Sequence, residues 1–274
     1  MGAIIWLASY PKSGNTWMRS FLHNLLLDPE SSHDINRLSD FTLGDSQARW
    51  YKLFDPRPAS EYSLDEVRRL RPLVHREMTK AHPDSVFVKT HNALLEDDGY
   101  PMVTMDVTAG AIYIVRDPRD VVVSYSHHLN KTIDETIDFL ETEGAATTGG
   151  DANVYEYMST WSRHVASWTA VPNPQLLTVR YEDMLESPTK SFSTVARFLG
   201  LNPPRARLDK AIRLSSFKVL KAQEQRHGFI ERPEWAPAFF REGKAGQWRK
   251  TLTAEQVARI ESAHGEQMRR FGYL

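Results

Sequence analysis

The sequence predicts an α/β fold, a single domain with a central parallel sheet flanked by helices. Four short apolar runs have the length and composition of buried strands, at residues 4–8, 86–88, 111–115 and 176–179. Helical patterns separate these runs, and strands that alternate with helices favour a parallel sheet. The chain has 274 residues, enough for one large core, so we expect one domain over residues 1–274.

Apolar residues at helical spacing predict where the main helices lie. Such stripes begin at residue 17, run over residues 154–168, and run over residues 192–199. Gly200 is placed to cap the third helix at its C-terminal end. Thr253, followed by Gln256, has the pattern of a capping box and predicts the start of the last helix.

The composition excludes several classes of protein. Lys and Arg total 34 against 35 acidic residues, so no net positive field points to a nucleic-acid partner. The absence of cysteine excludes disulfides and thiolate metal sites. The apolar runs are too short to span a bilayer, and no basic segment precedes the first one. We therefore expect a cytoplasmic protein with no membrane partner.

The most specific motif lies between the first predicted strand and the first predicted helix. It consists of Tyr10-Pro11-Lys12-Ser13-Gly14-Asn15-Thr16-Trp17. A helix N-terminus in this position offers unpaired N–H groups and the positive end of the helix dipole to an anion. Gly14 lets the backbone approach a ligand closely, and Lys12 adds a positive charge. We expect a P-loop-like loop that binds a phosphate group.

A nucleoside triphosphatase loop is the main alternative for this motif. Its pattern, Gly-x-x-x-x-Gly-Lys-Ser/Thr, places the lysine after the last glycine, whereas Lys12 precedes Gly14. The predicted strand over residues 111–115 is followed by Arg116 rather than by an aspartate that could bind magnesium. Both differences disfavour a magnesium-dependent phosphoryl transfer.

A second group of polar residues follows the strand predicted over residues 111–115. Asp117 and Pro118 are residues typical of an N-cap and of a first helical position, which leaves Arg116 at the strand end and Ser124 inside the helix. Ligands of open α/β sheets bind at the carboxyl ends of the strands, so Arg116 and Lys12 are expected on one edge. The planar guanidinium suits phosphate. Taken alone, the group would indicate a surface ion-pair cluster.

Other candidates are weaker when each is taken alone. Lys89 and His91 follow the strand predicted over residues 86–88, although a lone histidine is usually structural. Tyr181 and Phe217 would ordinarily be a strand-end aromatic residue and a core residue. Three segments are rich in aromatic residues and histidines: residues 41–54, 126–132 and 225–240. We expect them to line a pocket for a small molecule beside His91, with the last segment as its lid. For the middle segment, an ordinary surface loop is the alternative.

Taken together, the motifs occur in the order found in cytosolic sulfotransferases, which the chain resembles over residues 10–248. The first motif is similar to the 5′-phosphosulfate loop of that family, which often has Thr where Asn15 stands. The segment over residues 241–248 resembles the family's Arg-Lys-Gly-x-x-Gly-x-Trp, with Glu242 in place of the usual Lys. The family's C-terminal dimer motif is not recognisable, so the oligomeric state is left open.

The resemblance implies a sulfotransferase that uses 3′-phosphoadenosine 5′-phosphosulfate (PAPS) as co-substrate, without a metal. It implies in-line transfer of the sulfonate group to a small-molecule hydroxyl acceptor, with an amine as the alternative, and His91 as general base. The implied catalytic residues are His91, Lys12, Lys89 and Ser124, the last through a hydrogen bond to Lys12. The implied co-substrate residues are Lys12, Ser13, Gly14, Asn15, Thr16, Trp17, Arg116, Ser124, Tyr181, Phe217, Arg241, Glu242 and Gly243.

Two other functions stay open at this point. A nucleotide-dependent kinase would use ATP with magnesium, so its metal dependence would separate it from a sulfotransferase. A non-catalytic nucleotide-binding module would keep the phosphate-binding residues and lack a base, and His91 argues against it. We expect Glu242 to be harmless to the 3′-phosphate site, because Gly243 beside it indicates binding through backbone N–H groups.

Overall fold

The computed structural model describes residues 2–274, in which strands and helices alternate. The strands are β1 Ala3–Ser9, β2 Thr42–Gly44, β3 Ser85–Thr90, β4 Glu96–Asp97, β5 Tyr100–Pro101, β6 Thr108–Val115 and β7 Leu176–Arg180. The helices are α1 Asn15–Leu27, α2 Ala48–Tyr51, α3 Leu64–Met78, α4 Pro118–Leu129, α5 Ile133–Glu141, α6 Trp161–Thr169, α7 Tyr181–Glu186, α8 Pro188–Phe198, α9 Arg205–Leu214, α10 Phe217–His227, α11 Trp248–Thr251 and α12 Ala254–Arg270. Short 3-10 helices lie at Ile35–Asp40, Ala59–Glu61, Thr79–Ala81 and Met105–Val107.

The main sheet has five strands in the order β2-β3-β1-β6-β7. Both β1 and β2 pair with β3 in parallel, and Ile4 lies opposite Val86. The four apolar runs of the sequence form β1, β3, β6 and β7, which confirms the predicted parallel sheet. The edge strand β2 was not predicted, because its three residues are too few to establish a pattern.

Three predicted helix boundaries are confirmed. Asp117 caps α4 by accepting a hydrogen bond from the N–H of Arg119, and Pro118 is its first residue. The backbone of Gly200, which follows α8, is left-handed with φ of +72°. The Thr253 capping box opens α12 as expected.

The helix predicted over residues 154–168 is wrong in its first half. Only Trp161–Thr169 is helical, and Thr160 caps it through the N–H of Arg163. The preceding residues instead make hydrogen bonds to other segments, such as that from the N–H of Val154 to the carbonyl of Ser46. Ser159 has a φ of +57°, which a right-handed helix does not accommodate. Long-range backbone pairing therefore overrides the helical spacing of the apolar residues.

By its internal contacts the described chain divides into two compact units. The first unit comprises residues 2–10, 42–113 and 139–178, and it contains β1 to β5 with most of β6 and β7. The second unit comprises Pro11–Phe41, Ile114–Asp138 and Val179–Leu274. The single domain over residues 1–274 stays a prediction. Within residues 2–274, no helix has both the length and the apolar character needed to cross a membrane.

Candidate active site

The phosphate loop, residues 11–17, leads into α1 in the second unit. Lys12 has a φ of +64°, a left-handed conformation that is unusual for a residue with a side chain. Gly14, the N-cap of α1, has a φ of +108°, and a Cβ at this position would lie 2.8 Å from the ring of Tyr181. Glycine is therefore required at position 14 for both conformation and space.

Ser13, Trp17 and Arg116 each bury a polar atom that has no hydrogen-bond partner within residues 2–274. These atoms are Ser13 Oγ, Trp17 Nε1 and Arg116 Nε. Ser13 is fully buried and Arg116 is 5% exposed. A buried polar group without a partner costs about 1–3 kcal/mol, and a ligand bound at the phosphate loop would supply acceptors to these three. The three residues fit a phosphate-bearing ligand, because each atom can donate a hydrogen bond.

Arg116 connects the phosphate loop to the segment over residues 241–248. Its Nη1 donates to the carbonyl of Lys12 at 2.8 Å, and its Nη2 donates to the carbonyl of Lys244 at 3.2 Å. The guanidinium also lies 4.3 Å from the ring centroid of Tyr181. The expected proximity of Arg116 and Lys12 is thus observed.

The ammonium group of Lys12 lies 3.7 Å from the ring centroid of Phe239. Burial, together with the charge of Arg116, lowers the pKa of Lys12 to about 7, while Glu231 and Glu224 act in the opposite direction. An anion bound beside this ammonium would favour its charged form. The hydrogen bond between Ser124 and Lys12 that the resemblance implies stays a prediction.

Aromatic residues of the phosphate loop and of α10 share one apolar cluster. The buried members are Ile35, Leu220, Phe229 and Phe240, and Trp17, Phe217 and Phe239 pack against them. Trp17 also meets Tyr181 edge to face at 6.0 Å between centroids. Gly243 has a φ of +63°, and a Cβ there would overlap the ring of Phe217. The three predicted adenine-binding aromatic residues thus lie among residues that the fold brings together.

Asp120 holds the segment over residues 241–248 in place. Its carboxylate, 1% exposed, accepts from the N–H of Gly246 at 2.6 Å and from the N–H of Trp248 at 3.1 Å. The guanidinium of Arg119 lies 3.9 Å from the ring centroid of Trp248. Reasoning from the sequence missed this role, because an acidic residue beside arginines indicates an ion pair as readily as a backbone acceptor.

Glu242 and Arg241 differ in burial. The side chain of Glu242 is 52% exposed, and its carboxylate lies 4.0 Å from the ammonium of Lys244. Arg241 is half-buried, and burial lowers its pKa although the charge of Glu242 opposes this effect. The acidic side chain at position 242 is therefore largely exposed to solvent and lies near the ammonium group of Lys244.

His91 follows β3 in the first unit, and its ring is held in one tautomer. Its Nδ1 lies 2.7 Å from the carbonyl oxygen of Ser9, the last residue of β1. A carbonyl can only accept, so Nδ1 carries a proton and, in the neutral ring, Nε2 does not. Behind it, His164 Nε2 donates to the carbonyl of His91 at 3.1 Å, and Tyr113 donates to His164 Nδ1 at 2.8 Å. His91 thus has the tautomer that a base acting through Nε2 requires.

Lys89, in β3 of the first unit, forms an ion pair with Glu156. The distance between Lys89 Nζ and Glu156 Oε1 is 3.7 Å, and the lysine side chain is 22% exposed. No motif in the sequence contains Glu156, so it was not predicted. Within residues 2–274 no group of three His, Asp or Glu side chains could hold a metal ion, and a reaction without a metal stays a prediction.

Comparisons with known proteins identify the family of the chain. Residues 4–272 match the family model of the sulfotransferase domain. Sulfotransferase 1A1 of Canis lupus familiaris is 25% identical over 272 residues, which cover 96% of this chain and 82% of the relative. Flavonol 3-sulfotransferase of Flaveria bidentis is also 25% identical, over 284 residues that cover 96% of this chain and 81% of the relative.

Solved structures show the same fold. Retinol dehydratase in complex with androsterone and inactive cofactor PAP has a TM-score of 0.66 and 21% identity, over 97% of this chain and 80% of that one. Mouse sulfotransferase SULT7A1 complexed with PAP has a TM-score of 0.63 and 20% identity, over 97% and 85%. Because the family model matches nearly the whole chain, this protein belongs to the sulfotransferase domain family.

Proposed function

We propose that the protein transfers a sulfonate group from PAPS to the hydroxyl group of a small-molecule acceptor, by in-line displacement with His91 as general base. An amine is the alternative acceptor. The observation that carries the proposal is the set of buried donors without partners in the second unit, at Ser13, Trp17 and Arg116. Family membership supports sulfonate transfer, and the structural relatives named above were solved with PAP.

The residues of the second unit fit a ligand with two phosphate-bearing ends. The N–H groups at the start of α1, with Ser13 and Lys12, would hold the 5′-phosphosulfate. Arg116, Ser124 and the backbone around Gly243 would hold the 3′-phosphate, which distinguishes PAPS from ATP. Asn15 and Thr16 would add side-chain hydrogen bonds. Trp17 and Phe217 would stack on the adenine, and Tyr181 would hydrogen-bond to it.

In the proposed reaction, PAPS supplies the sulfonate group, and side chains of the protein remove a proton and stabilise the negative charge that develops. When bound, PAPS supplies a sulfonate group on a bridging oxygen that becomes negatively charged as the bond breaks. His91 Nε2 takes the proton of the acceptor hydroxyl, which its tautomer allows. Lys12 and Lys89 stabilise the negative charge, which is typically the largest contribution of such a site to catalysis.

The segment over residues 225–240 is the best candidate to contact the acceptor. It exposes apolar surface at Ile230 and Trp235, which are 70% and 58% exposed. Trp235 Nε1 donates to the carbonyl of His128 at 3.1 Å, which joins this segment to residues 126–132. We propose that both segments line the acceptor pocket and that residues 225–240 cover it. That residues 41–54 also line the acceptor pocket stays a prediction.

One experiment tests the proposed function. The protein is incubated with PAPS and a mixed panel of phenols, alcohols, sugars and amines, and the products are analysed by mass spectrometry. A sulfonate adduct on a hydroxyl compound, formed equally in EDTA, is expected. Phosphoryl transfer from ATP that requires magnesium, without any sulfonate adduct, would instead identify a kinase.

Adenosine 3′,5′-bisphosphate is the nucleotide that remains when PAPS has lost its sulfonate group, and it serves as the ligand in binding experiments. We expect Glu242→Lys to change the affinity for this bisphosphate by less than about 1 kcal/mol, the usual range for an exposed charge pair. The reason is that the Glu242 side chain is 52% exposed and already close to Lys244. Arg241→Ala should cost about 1.5–3 kcal/mol, the range for a hydrogen bond to a charged group. Calorimetric titration of both variants measures the difference. A large gain from the lysine would mean that the acidic side chain weakens the 3′-phosphate site.

A further inference from the structure

We infer that Glu156 is a positioning residue for sulfonate transfer, which restrains the ammonium group of Lys89 and presents a negative charge to His91. This inference rests on the proposed function. It adds to the site a residue that no motif of the sequence contains.

Glu156 is held rigidly on both its backbone and its side chain. Its N–H donates to Thr147 Oγ1 at 2.8 Å, and its carbonyl accepts from the N–H of Thr147 at 2.9 Å. Its Oε1 accepts from Ser46 Oγ at 3.2 Å and lies 3.7 Å from Lys89 Nζ. The residue is 8% exposed. A carboxylate fixed in this way can define where a flexible lysine places its charge.

The charge of Glu156 is maintained by the two residues on which it would act. Burial alone would raise the pKa of Glu156, but Lys89 and His91 oppose burial and hold that pKa below its ordinary value. The effect is reciprocal: an ionised carboxylate facing an imidazole stabilises the imidazolium that forms when the ring takes a proton. Other ionisable groups of the first unit also lie near His91. Lys89 is two residues away, and Asp45 accepts hydrogen bonds from the two residues that flank His91. His164, which donates to the His91 carbonyl, is uncharged because burial lowers its pKa to about 3.

A second buried carboxylate, Asp45, has a different task. It accepts from Thr90 Oγ1 at 2.6 Å and from Asn92 Nδ2 at 2.8 Å, the residues on either side of His91. Burial, with the charge of Glu156, raises the pKa of Asp45 to about 6. Asp45 thus restrains the side chains on either side of His91. Glu156 instead lies 3.7 Å from the ammonium group of Lys89, and the N–H of the next residue, Tyr157, donates at 2.7 Å to Asn92, which follows His91 in the chain. The two roles can be separated experimentally.

Glu156→Gln keeps the shape of the side chain and removes its charge. It should lower kcat about 10-fold, the equivalent of one pKa unit, and leave the affinity for adenosine 3′,5′-bisphosphate within about twofold. His91 must be neutral to act as a base, so activity rises with pH through its pKa. Loss of the facing anion lowers that pKa, and the acidic limb of the kcat profile should move to lower pH.

The pKa of His91 can also be measured without turnover, by NMR titration of the ring signal that disappears in His91→Gln. Glu143→Gln is the matched control, because that carboxylate belongs to the same unit but its side chain is 77% exposed and pairs with Arg163. It should change neither kcat nor the His91 titration. If Glu156→Gln does not fold, Glu156→Asp keeps the charge, and it should retain the His91 titration while lowering kcat through a displaced Lys89.

A double-mutant cycle tests whether the effect passes through Lys89. In the Lys89→Met background, Glu156→Gln should lower kcat less than in the wild type, because the restrained ammonium is already gone. Equal losses in both backgrounds, or an unchanged His91 titration in Glu156→Gln, would overturn the inference. Absence of sulfonate transfer by the wild type would instead overturn the proposed function, and the titration by NMR would still decide the role of Glu156.

Discussion

Replacing His91 with Ala is expected to lower turnover by a factor of about 10²–10⁴, the usual contribution of a general base. The affinity for adenosine 3′,5′-bisphosphate should not change, because the base acts on the acceptor rather than on the nucleotide. The structural reason is the tautomer: Nδ1 donates to the carbonyl of Ser9 at 2.7 Å, so Nε2 is the nitrogen that can take a proton. Steady-state rates with PAPS and calorimetry with the bisphosphate measure both quantities.

The control for this variant is His82→Ala, since His82 is an exposed histidine of the same unit. It should have wild-type turnover. A His91→Ala protein that kept most of its activity with a good acceptor would show that another group, or water, accepts the proton.

Replacing Lys12 with Ala should lower kcat by a factor of about 10²–10³, as expected when a group that stabilises developing charge is removed. Arg116→Ala should differ in kind and mainly weaken binding, by about 1.5–3 kcal/mol, because its guanidinium would meet a phosphate rather than the reacting bond. Comparing kcat with the Kd of the bisphosphate for both variants separates the two effects. Equal losses of kcat and of affinity in both would contradict this division.

We expect Lys12 to make the binding of the nucleotide depend on pH. In the absence of ligand, burial and Arg116 lower its pKa to about 7, so much of the side chain is neutral at pH 8. A bound anion raises that pKa, and binding at pH 8 should therefore take up protons. Calorimetry in buffers of different ionisation enthalpy measures the uptake. Lys12→Met should abolish it, and an unchanged uptake in that variant would assign the proton to another group.

Local sequence patterns predicted those strands and helix ends that are formed by residues close together in the sequence. The apolar run that became β1, followed by a glycine and polar residues, predicted both the strand and the loop that starts α1. The helix predicted over residues 154–168 failed in its first half, because Val154 and its neighbours pair with distant backbone. Backbone pairing of that kind leaves no periodic signal in the segment itself.

The candidate site shows the same limit. Lys12, Arg116 and Gly243 were predicted from charge, position and motif order, and they lie in one unit of the fold. Asp120 and Glu156 could not be predicted, because each acts on residues far away in the sequence. Asp120 accepts from Gly246, which is 126 residues further along the chain, and Glu156 pairs with a lysine of β3. The role of a carboxylate is set by what the fold places beside it.

The most direct test of the account is the thermal stability of the protein with adenosine 3′,5′-bisphosphate in EDTA. A ligand that binds the native state must raise the melting temperature, and at 100 times its Kd it adds about 2.7 kcal/mol. We expect the bisphosphate to raise the melting temperature by several degrees without added metal, because Ser13, Trp17 and Arg116 present buried donors without partners within residues 2–274. A rise in melting temperature with ATP and magnesium, but no rise with the bisphosphate, would contradict the assignment of the site.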